Sequence, residues 1–148
     1  MTSIEFFRTL DRLLDETGTG ARYLAIPVVA DLVTESIQDC ANAMHQYELH
    51  AFAVMPNHFH LLITPNHALP TILKSLKSFT ARRANACLAR YGQSFWLAES
   101  FDHLVRDHGE FDAILRCIEE KPVRAMLVGQ AEDYRWSSAN RRWATAQA

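Results

Sequence analysis

The feature that most constrains the fold is a pair of apolar segments joined by a short turn signal, at residues 47–65. The first segment reads YELHAFAVM and alternates between apolar and polar residues over its first half. The second reads HFHLLIT, and Pro56-Asn57 lies between the two. Alternation favours a strand and Pro-Asn favours a turn, so the stretch predicts an antiparallel hairpin.

Segments with helical spacing of apolar residues flank this hairpin. They cover residues 3–16, 28–45 and 69–90 and the stretch EFDAILRCIEEK, which Pro122 is expected to end. The stretch SFWLAESFDHLVR predicts a third strand that runs into a loop. This pattern predicts an α+β fold, with helices packed on one face of a small antiparallel sheet. A length of 148 residues suits one domain, 1–148, whose residues 1–21 contain an N-terminal helix.

The composition excludes several classes of protein. No apolar run approaches the roughly 18 to 20 residues that a membrane-spanning helix needs. The acidic, amphipathic N-terminus argues against a signal peptide. The three cysteines are widely spaced and lack a CxxC pair, which argues against a disulfide framework and a zinc ribbon. We therefore expect a cytoplasmic protein with no membrane partner.

Charge is distributed unevenly along the chain. Residues 49–98 contain no Asp or Glu, and their Lys and Arg residues are Lys74, Lys77, Arg82, Arg83 and Arg90. This basic block predicts an affinity for phosphates despite the net charge of −2. The alternative is a solvated helix face whose counter-charges come from other segments.

Two histidines interrupt the second strand of the predicted hairpin. Residues two apart on a strand share a face, so His58 and His60 stand side by side. Two imidazoles at this spacing can converge on one cation at about 2.0 to 2.2 Å from each nitrogen. The spacing alone also suits two surface or hydrogen-bonded histidines.

Five motifs together resemble the REP-associated tyrosine transposases, from the single-tyrosine branch of the HUH (His-hydrophobic-His) enzymes. In chain order they read MPNHFHLLITP, LKSFTARRAN, SFWLAESFDHLVR, IEEKPVRAMLV and DYRWSSA. The resemblance implies a ferredoxin-like sheet, a homodimer, and Mg²⁺ or Mn²⁺ bound by His58 and His60. It further implies that a helix tyrosine attacks a phosphodiester of single-stranded DNA beside a hairpin, which gives a 5′-phosphotyrosine link.

This chain departs from the family pattern at three places. Cys117 stands where the resemblance places the tyrosine nucleophile, and Lys121 stands where it places an amide metal ligand. A thiol is shorter than a phenol by a whole ring, and a protonated lysine repels a cation. Relatives also begin with a strand that pairs beside the histidine strand, whereas residues 1–21 here predict a divergent helix.

The resemblance also suggests residues for DNA contact. Lys74, Lys77, Arg82 and Arg83 lie on the helix after the hairpin, where they can meet a DNA backbone. Arg106 matches a recurrent family residue and is either a DNA contact or half of an ion pair with Asp102.

We therefore expect a protein that binds single-stranded or hairpin DNA and has lost its nucleophile. Two alternatives stay open. One is an active transposase or nickase that uses an unmatched nucleophile, and the other is a decayed remnant that folds without a function.

Overall fold

A computed structural model describes residues 8–14, 23–93, 95–104 and 107–144 of the chain. The strands are β1 (Arg8–Leu14), β2 (Tyr47–Met55), β3 (His58–Pro65) and β4 (Trp96–Leu104). The helices are α1 (Pro27–Asn42), α2 (Leu69–Cys87), α3 (His108–Arg124) and the short α4 (Arg141–Ala144). No helix in these ranges is both long enough and apolar enough to cross a membrane.

The four strands form one antiparallel sheet in the order β2-β3-β1-β4. Up to β4 the elements follow the sequence βαββαβ, which is the ferredoxin-like topology. The predicted hairpin is confirmed, with Met55 opposite His58 across the Pro56-Asn57 turn. The α+β class is confirmed as well.

The predicted N-terminal helix is wrong over Arg8–Leu14, which form the internal strand β1; the rest of residues 1–21 lies outside the described residues. Leu10, Leu13 and Leu14 have a spacing that favours a helix locally. In the sheet, however, β1 pairs with β3 on one side and β4 on the other. Two ladders of hydrogen bonds outweigh local propensity, which is a weak guide when tertiary pairing competes. The strand beside the histidine strand is therefore present.

The helices lie on both faces of the sheet, which corrects the expectation of one face. The larger core cluster joins α1 and α2 to the face of β3 that carries Phe59, Leu61 and Ile63. A smaller cluster joins α3, through Ile118, to the opposite face, where it meets Leu62 and residues of β2. The alternation of β3 places both histidines on the α3 face.

Helix α3 continues past Pro122, which was expected to end it. Pro122 is buried within the last turn, and the helix ends at Arg124. Pro122 has no N–H to donate to the carbonyl of Ile118, so one helical hydrogen bond is absent near the end of α3. Just beyond, the amide of Leu127 donates to the carbonyl of Pro122 at 2.9 Å, which closes the helix end.

The C-terminal segment covers part of the β2 edge and is fastened to α1. Val54 donates its amide to Trp136 O at 2.8 Å, and Ser138 donates to Phe52 O at 3.0 Å. Asp31 on α1 accepts from Arg135 Nε at 3.0 Å and from Trp136 Nε1 at 2.8 Å. The hydrogen bond from Arg135 lowers the pKa of the Asp31 carboxyl, although burial acts in the opposite direction.

Asp31→Asn should lower the free energy of unfolding by about 1 kcal/mol at neutral pH, because it removes a charged partner from a partly exposed pair. A carboxyl whose pKa is depressed by folding stabilises the protein above its unfolded pKa, and the contribution disappears as the pH falls through the folded pKa. Urea unfolding of the unaltered protein and of Asp31→Asn at a series of acid pH values measures this difference in free energy. Glu35→Gln, which changes an exposed residue on the same helix, is the control. Equal losses in the two variants would contradict the prediction.

Candidate metal and nucleic-acid site

His58 and His60 lie side by side on the face of β3 that α3 covers. Their ring centroids are 4.7 Å apart and the ring planes are nearly perpendicular. His60 is buried and His58 is half-buried, so the pair runs from the interior of the sheet to its surface. Opposite His60 on β2 is the small residue Ala53. The predicted pairing of the two side chains on one face is present.

The turn before β3 holds a polar contact to the first histidine. Asn57 Oδ1 lies 2.7 Å from His58 Nδ1. The turn itself is tied to the segment before α1, because Leu24 donates its amide to Pro56 O at 3.1 Å. The sequence indicated only that Asn57 shapes the turn, and the contact to the ring was missed.

His58 lines a surface depression of about 280 Å³ next to the hairpin turn. On one side the depression is walled by the turn, and on the other by residues that follow α3. Its lining residues are Met55, Pro56, Asn57, His58, Ala125 and Leu127. Residues that follow α3 therefore share this depression with His58.

Helix α3 begins at a well-defined cap and packs on the sheet through an apolar stripe. Asp107 Oδ1 accepts from the Glu110 amide at 2.8 Å, which satisfies one of the unpaired donors at the helix start. The stripe consists of Phe111, Ile114, Leu115 and Ile118. This packing turns the apolar stripe of α3 towards the sheet.

Cys117 is half-buried on α3. Its Sγ accepts a hydrogen bond from Arg124 Nη1 at 3.7 Å. Cys117 lines a separate depression of about 310 Å³ with Ala113, Arg116, Glu120 and Arg124. The structure thus places the thiol and His58 in different depressions.

Lys121 lies one turn beyond Cys117 on the same side of α3 and is half-buried. Glu119, a neighbouring carboxylate, accepts from Ser138 Oγ at 2.6 Å and so faces the C-terminal segment. Among the described residues, no three His, Cys, Asp or Glu side chains are grouped to hold a metal ion. Of the predicted metal ligands, the two histidines alone are brought together.

The basic residues predicted to contact DNA fall into two groups. Lys74, Lys77 and Arg82 are exposed on α2. Arg83 instead donates to Asp39 Oδ2 at 3.3 Å, and its guanidinium lies 3.9 Å from the centre of the Phe79 ring. Arg83 therefore ties α2 to α1, while Arg106 lies outside the described residues.

Helix α2 and the histidine pair lie on opposite faces of the sheet. The larger cluster contains Ile72 and Leu76 of α2, whereas the α3 cluster contains Leu62, which shares a face with the histidines. The sequence suggested one electropositive block around the histidines. The fold separates it into a basic surface and a histidine site with the sheet between them.

A third histidine shares the α3 face of the sheet. His50 Nε2 lies 2.6 Å from Thr64 Oγ1, and its ring packs edge-on against Phe111 at 5.2 Å. Burial lowers the pKa of His50, which favours the neutral ring. These contacts make His50 part of the packing under α3, a role that the sequence did not indicate.

Two of the four tyrosines are held in the interior. The Tyr47 hydroxyl donates to Ile37 O at 2.7 Å, and the Tyr134 hydroxyl donates to Val54 O at 2.6 Å. Burial raises the pKa of both phenols, that of Tyr134 to about 12. Tyr23 stacks on Phe95, and Tyr91 is 75% exposed in the loop after α2. Tyr47 and Tyr134 are therefore structural residues.

The fold and the site together define a class of protein: a βαββαβ fold in which the internal strand β3 carries a His-hydrophobic-His pair on the face that α3 covers. Residues 23–121 match the family described as "Transposase IS200 like". This match covers well over half of the chain, and the chain belongs to that family.

Individual relatives agree with this assignment. The chain is 36% identical to the ISDra2 transposase TnpA of Deinococcus radiodurans over 70 residues, which are 46% of this chain and 49% of that protein. The match thus spans about half the length of that relative.

Two solved structures also resemble the chain. The REP-associated tyrosine transposase bound to a REP hairpin superposes with a TM-score of 0.74 over 97% of this chain and 82% of that one, at 17% identity. This likeness shows the fold. A putative transposase from Deinococcus radiodurans R1 superposes with a TM-score of 0.53 over 78% of this chain and 89% of that one, at 26% identity.

Proposed function

We propose that this protein binds single-stranded or hairpin DNA and does not cleave it. The observation that carries the proposal is the pair of residues on α3. Cys117 and Lys121 occupy the places that the family resemblance gives to a tyrosine and an amide, and the Cys117 thiol is held by Arg124 at 3.7 Å. A cysteine side chain is shorter than a tyrosine by a whole ring, so the thiol lacks the length to reach a phosphate held at His58.

The donor set at the histidine pair fits a weakly held divalent cation. Two imidazole nitrogens suit first-row transition ions such as Mn²⁺ better than Mg²⁺, which prefers oxygen ligands. His58 and His60 would hold the cation, and water or phosphate oxygens would complete its coordination. A cation bound there would neutralise part of the charge of a DNA phosphate. Mn²⁺ should therefore raise the melting temperature of the protein but not that of His58→Ala.

The exposed bases of α2 supply a second surface for DNA. Lys74, Lys77 and Arg82 project from one helix within a segment that has no carboxylate. Ser75 and Ser78 line the shallow depression between Lys74 and Arg82 and offer hydroxyl donors to phosphates. A related fold has been solved with a REP hairpin bound, which supports a hairpin as the ligand.

Gel shifts at a series of salt concentrations, with a labelled hairpin that carries a single-stranded extension, test this surface. Replacing Lys74, Lys77 and Arg82 together by alanine should weaken binding. It should also make the fall of log K with log salt shallower by about 2 to 3 in slope, because each phosphate contact contributes about 0.7 to 0.9.

Two variants are the controls for this experiment. Arg141→Ala with Arg142→Ala removes exposed arginines from α4 and should change the slope less. Arg83→Ala should lower the melting temperature, because it breaks the tie to Asp39, with a smaller effect on the slope. Binding that is undetectable at low salt, or equal in all variants, would contradict the proposal.

The homodimer and the cytoplasmic location belong to the same proposal. Both come from the family resemblance and the composition. Sedimentation of the protein with and without hairpin DNA measures the oligomeric state, and a monomer under both conditions would contradict the dimer.

A further inference from the structure

We propose that Asn57 is a positioning residue that fixes His58 in the tautomer with its proton on Nδ1. In that tautomer Nε2 is the ring nitrogen that carries the lone pair through which His58 can coordinate a cation. The inference rests on the proposed metal site for its purpose, although the tautomer itself can be measured without any metal.

The geometry at the turn carries the argument. Asn57 Oδ1 lies 2.7 Å from His58 Nδ1, within the range of a good hydrogen bond. An amide oxygen accepts and does not donate, so Nδ1 of the imidazole must carry the proton. A neutral imidazole has one protonated nitrogen, and Nε2 consequently keeps its lone pair.

The turn holds the Asn57 side chain in place for this role. Asn57 is the second residue of a two-residue connection between β2 and β3, whose ladder begins at the Met55–His58 pair. The carbonyl of Pro56 accepts from Leu24 at 3.1 Å, which anchors the connection to the segment before α1. The acceptor is thus presented to the ring by a backbone that is itself fixed.

The tautomer matters because an unrestrained neutral histidine favours the proton on Nε2. In that form Nε2 cannot bind a cation, and a metal would have to displace the proton first. Histidine ligands in metal sites commonly donate their other ring N–H to an oxygen acceptor, and loss of that acceptor weakens metal binding by about 10-fold to 100-fold. Asn57 supplies such an acceptor from the adjacent position in the chain.

Nitrogen and carbon chemical shifts of the histidine rings report the tautomer directly. We expect metal-free protein, well above the ordinary pKa of histidine, to show His58 with its proton on Nδ1; the signals are assigned by their loss in His58→Gln. Asn57→Asp keeps an oxygen acceptor and should keep this tautomer. Asn57→Leu has a similar shape without an acceptor and should shift His58 towards the Nε2-protonated form. Asn57→Ala is a second variant without an acceptor, in case leucine disturbs the turn.

Mn²⁺-dependent melting provides the second readout. Affinity should fall about 10-fold to 100-fold in Asn57→Leu and be preserved in Asn57→Asp. A native His58 that carries its proton on Nε2, or a tautomer unchanged in both Asn57→Leu and Asn57→Ala, would overturn the inference. If native protein binds no Mn²⁺ but shows the Nδ1 tautomer, the metal proposal fails while the positioning by Asn57 stands.

Discussion

A variant that combines Cys117→Tyr with Lys121→Gln should form a covalent adduct with hairpin DNA in the presence of Mn²⁺. The tyrosine restores an oxygen nucleophile with the reach of a phenol, and the glutamine replaces a repelling ammonium with an amide oxygen. The phenol loses its proton as its oxygen forms a bond to phosphorus. The bond between phosphorus and O3′ breaks, and O3′ takes up a proton, which gives a 5′-phosphotyrosine and a 3′-hydroxyl. Because loss of a nucleophile costs on the order of 10⁶ in rate in other covalent enzymes, even partial restoration should raise adduct at least about 100-fold above background.

Matched controls isolate each part of this expectation. Cys117→Phe with Lys121→Gln fills the same space without the oxygen and should give no adduct. Adding His58→Ala to the tyrosine variant should abolish the adduct, because the cation site is then lost. A denaturing gel with labelled DNA measures all variants. Equal adduct in the phenylalanine and tyrosine variants, or full adduct after His58→Ala, would contradict the assigned roles.

Trp96→Ala should lower the free energy of unfolding by about 3 to 5 kcal/mol, the range for removing a large aromatic side chain from a core. Trp96 is 1% exposed and packs edge-on against Phe59, with ring centroids 5.1 Å apart. Its Nε1–H donates to Thr80 Oγ1 at 2.7 Å, which connects the start of β4 to α2. Since domains of this kind are stabilised by only about 5 to 15 kcal/mol, the change removes a large share of the total.

Trp96→Phe is the control for the hydrogen bond and for ring volume. It keeps an aromatic ring but loses the donor to Thr80, so the expected loss is about 1 to 2 kcal/mol. Urea unfolding followed by circular dichroism measures both variants. A loss below about 1 kcal/mol in Trp96→Ala would show that the aromatic cluster contributes less than its burial implies.

The central hairpin was predictable because its information is local. Alternation, a Pro-Asn turn and two apolar runs of strand length all lie within residues 47–65, and the structure places β2 and β3 there. The face shared by His58 and His60 follows from the same two-residue period. These features depend only on residues that are close together along the chain, and a single sequence contains that information.

The N-terminal strand was not predictable from local pattern. The leucines of Arg8–Leu14 repeat as in a helix, and the pairing with β3 and β4 that makes the segment a strand involves residues far along the chain. The family resemblance implied such a strand, whereas the residues favoured a helix. The resemblance predicted the strand correctly because it reflects the whole sheet, in which β1 pairs with both β3 and β4.

The sequence predicted that His58 and His60 share a face, but it did not predict how the residues around them are arranged. Arg83 and Lys77 look alike in sequence, yet Arg83 is paired with Asp39 across two helices. The separation of α2 from the histidines by the sheet is a property of topology that charge counting does not contain. The contact from Asn57 to His58 had a local signal, since an amide directly before a candidate ligand can reach its ring.

We propose that His58 and His60 keep the metal-binding half of a transposase site, while the nucleophile half at Cys117 is lost. The most direct test incubates the unaltered protein with a labelled hairpin and Mn²⁺ and examines it on a denaturing gel. We expect a complex on a native gel and no covalent species on the denaturing gel. A Mn²⁺-dependent covalent species that disappears in Cys117→Ala would contradict the claim.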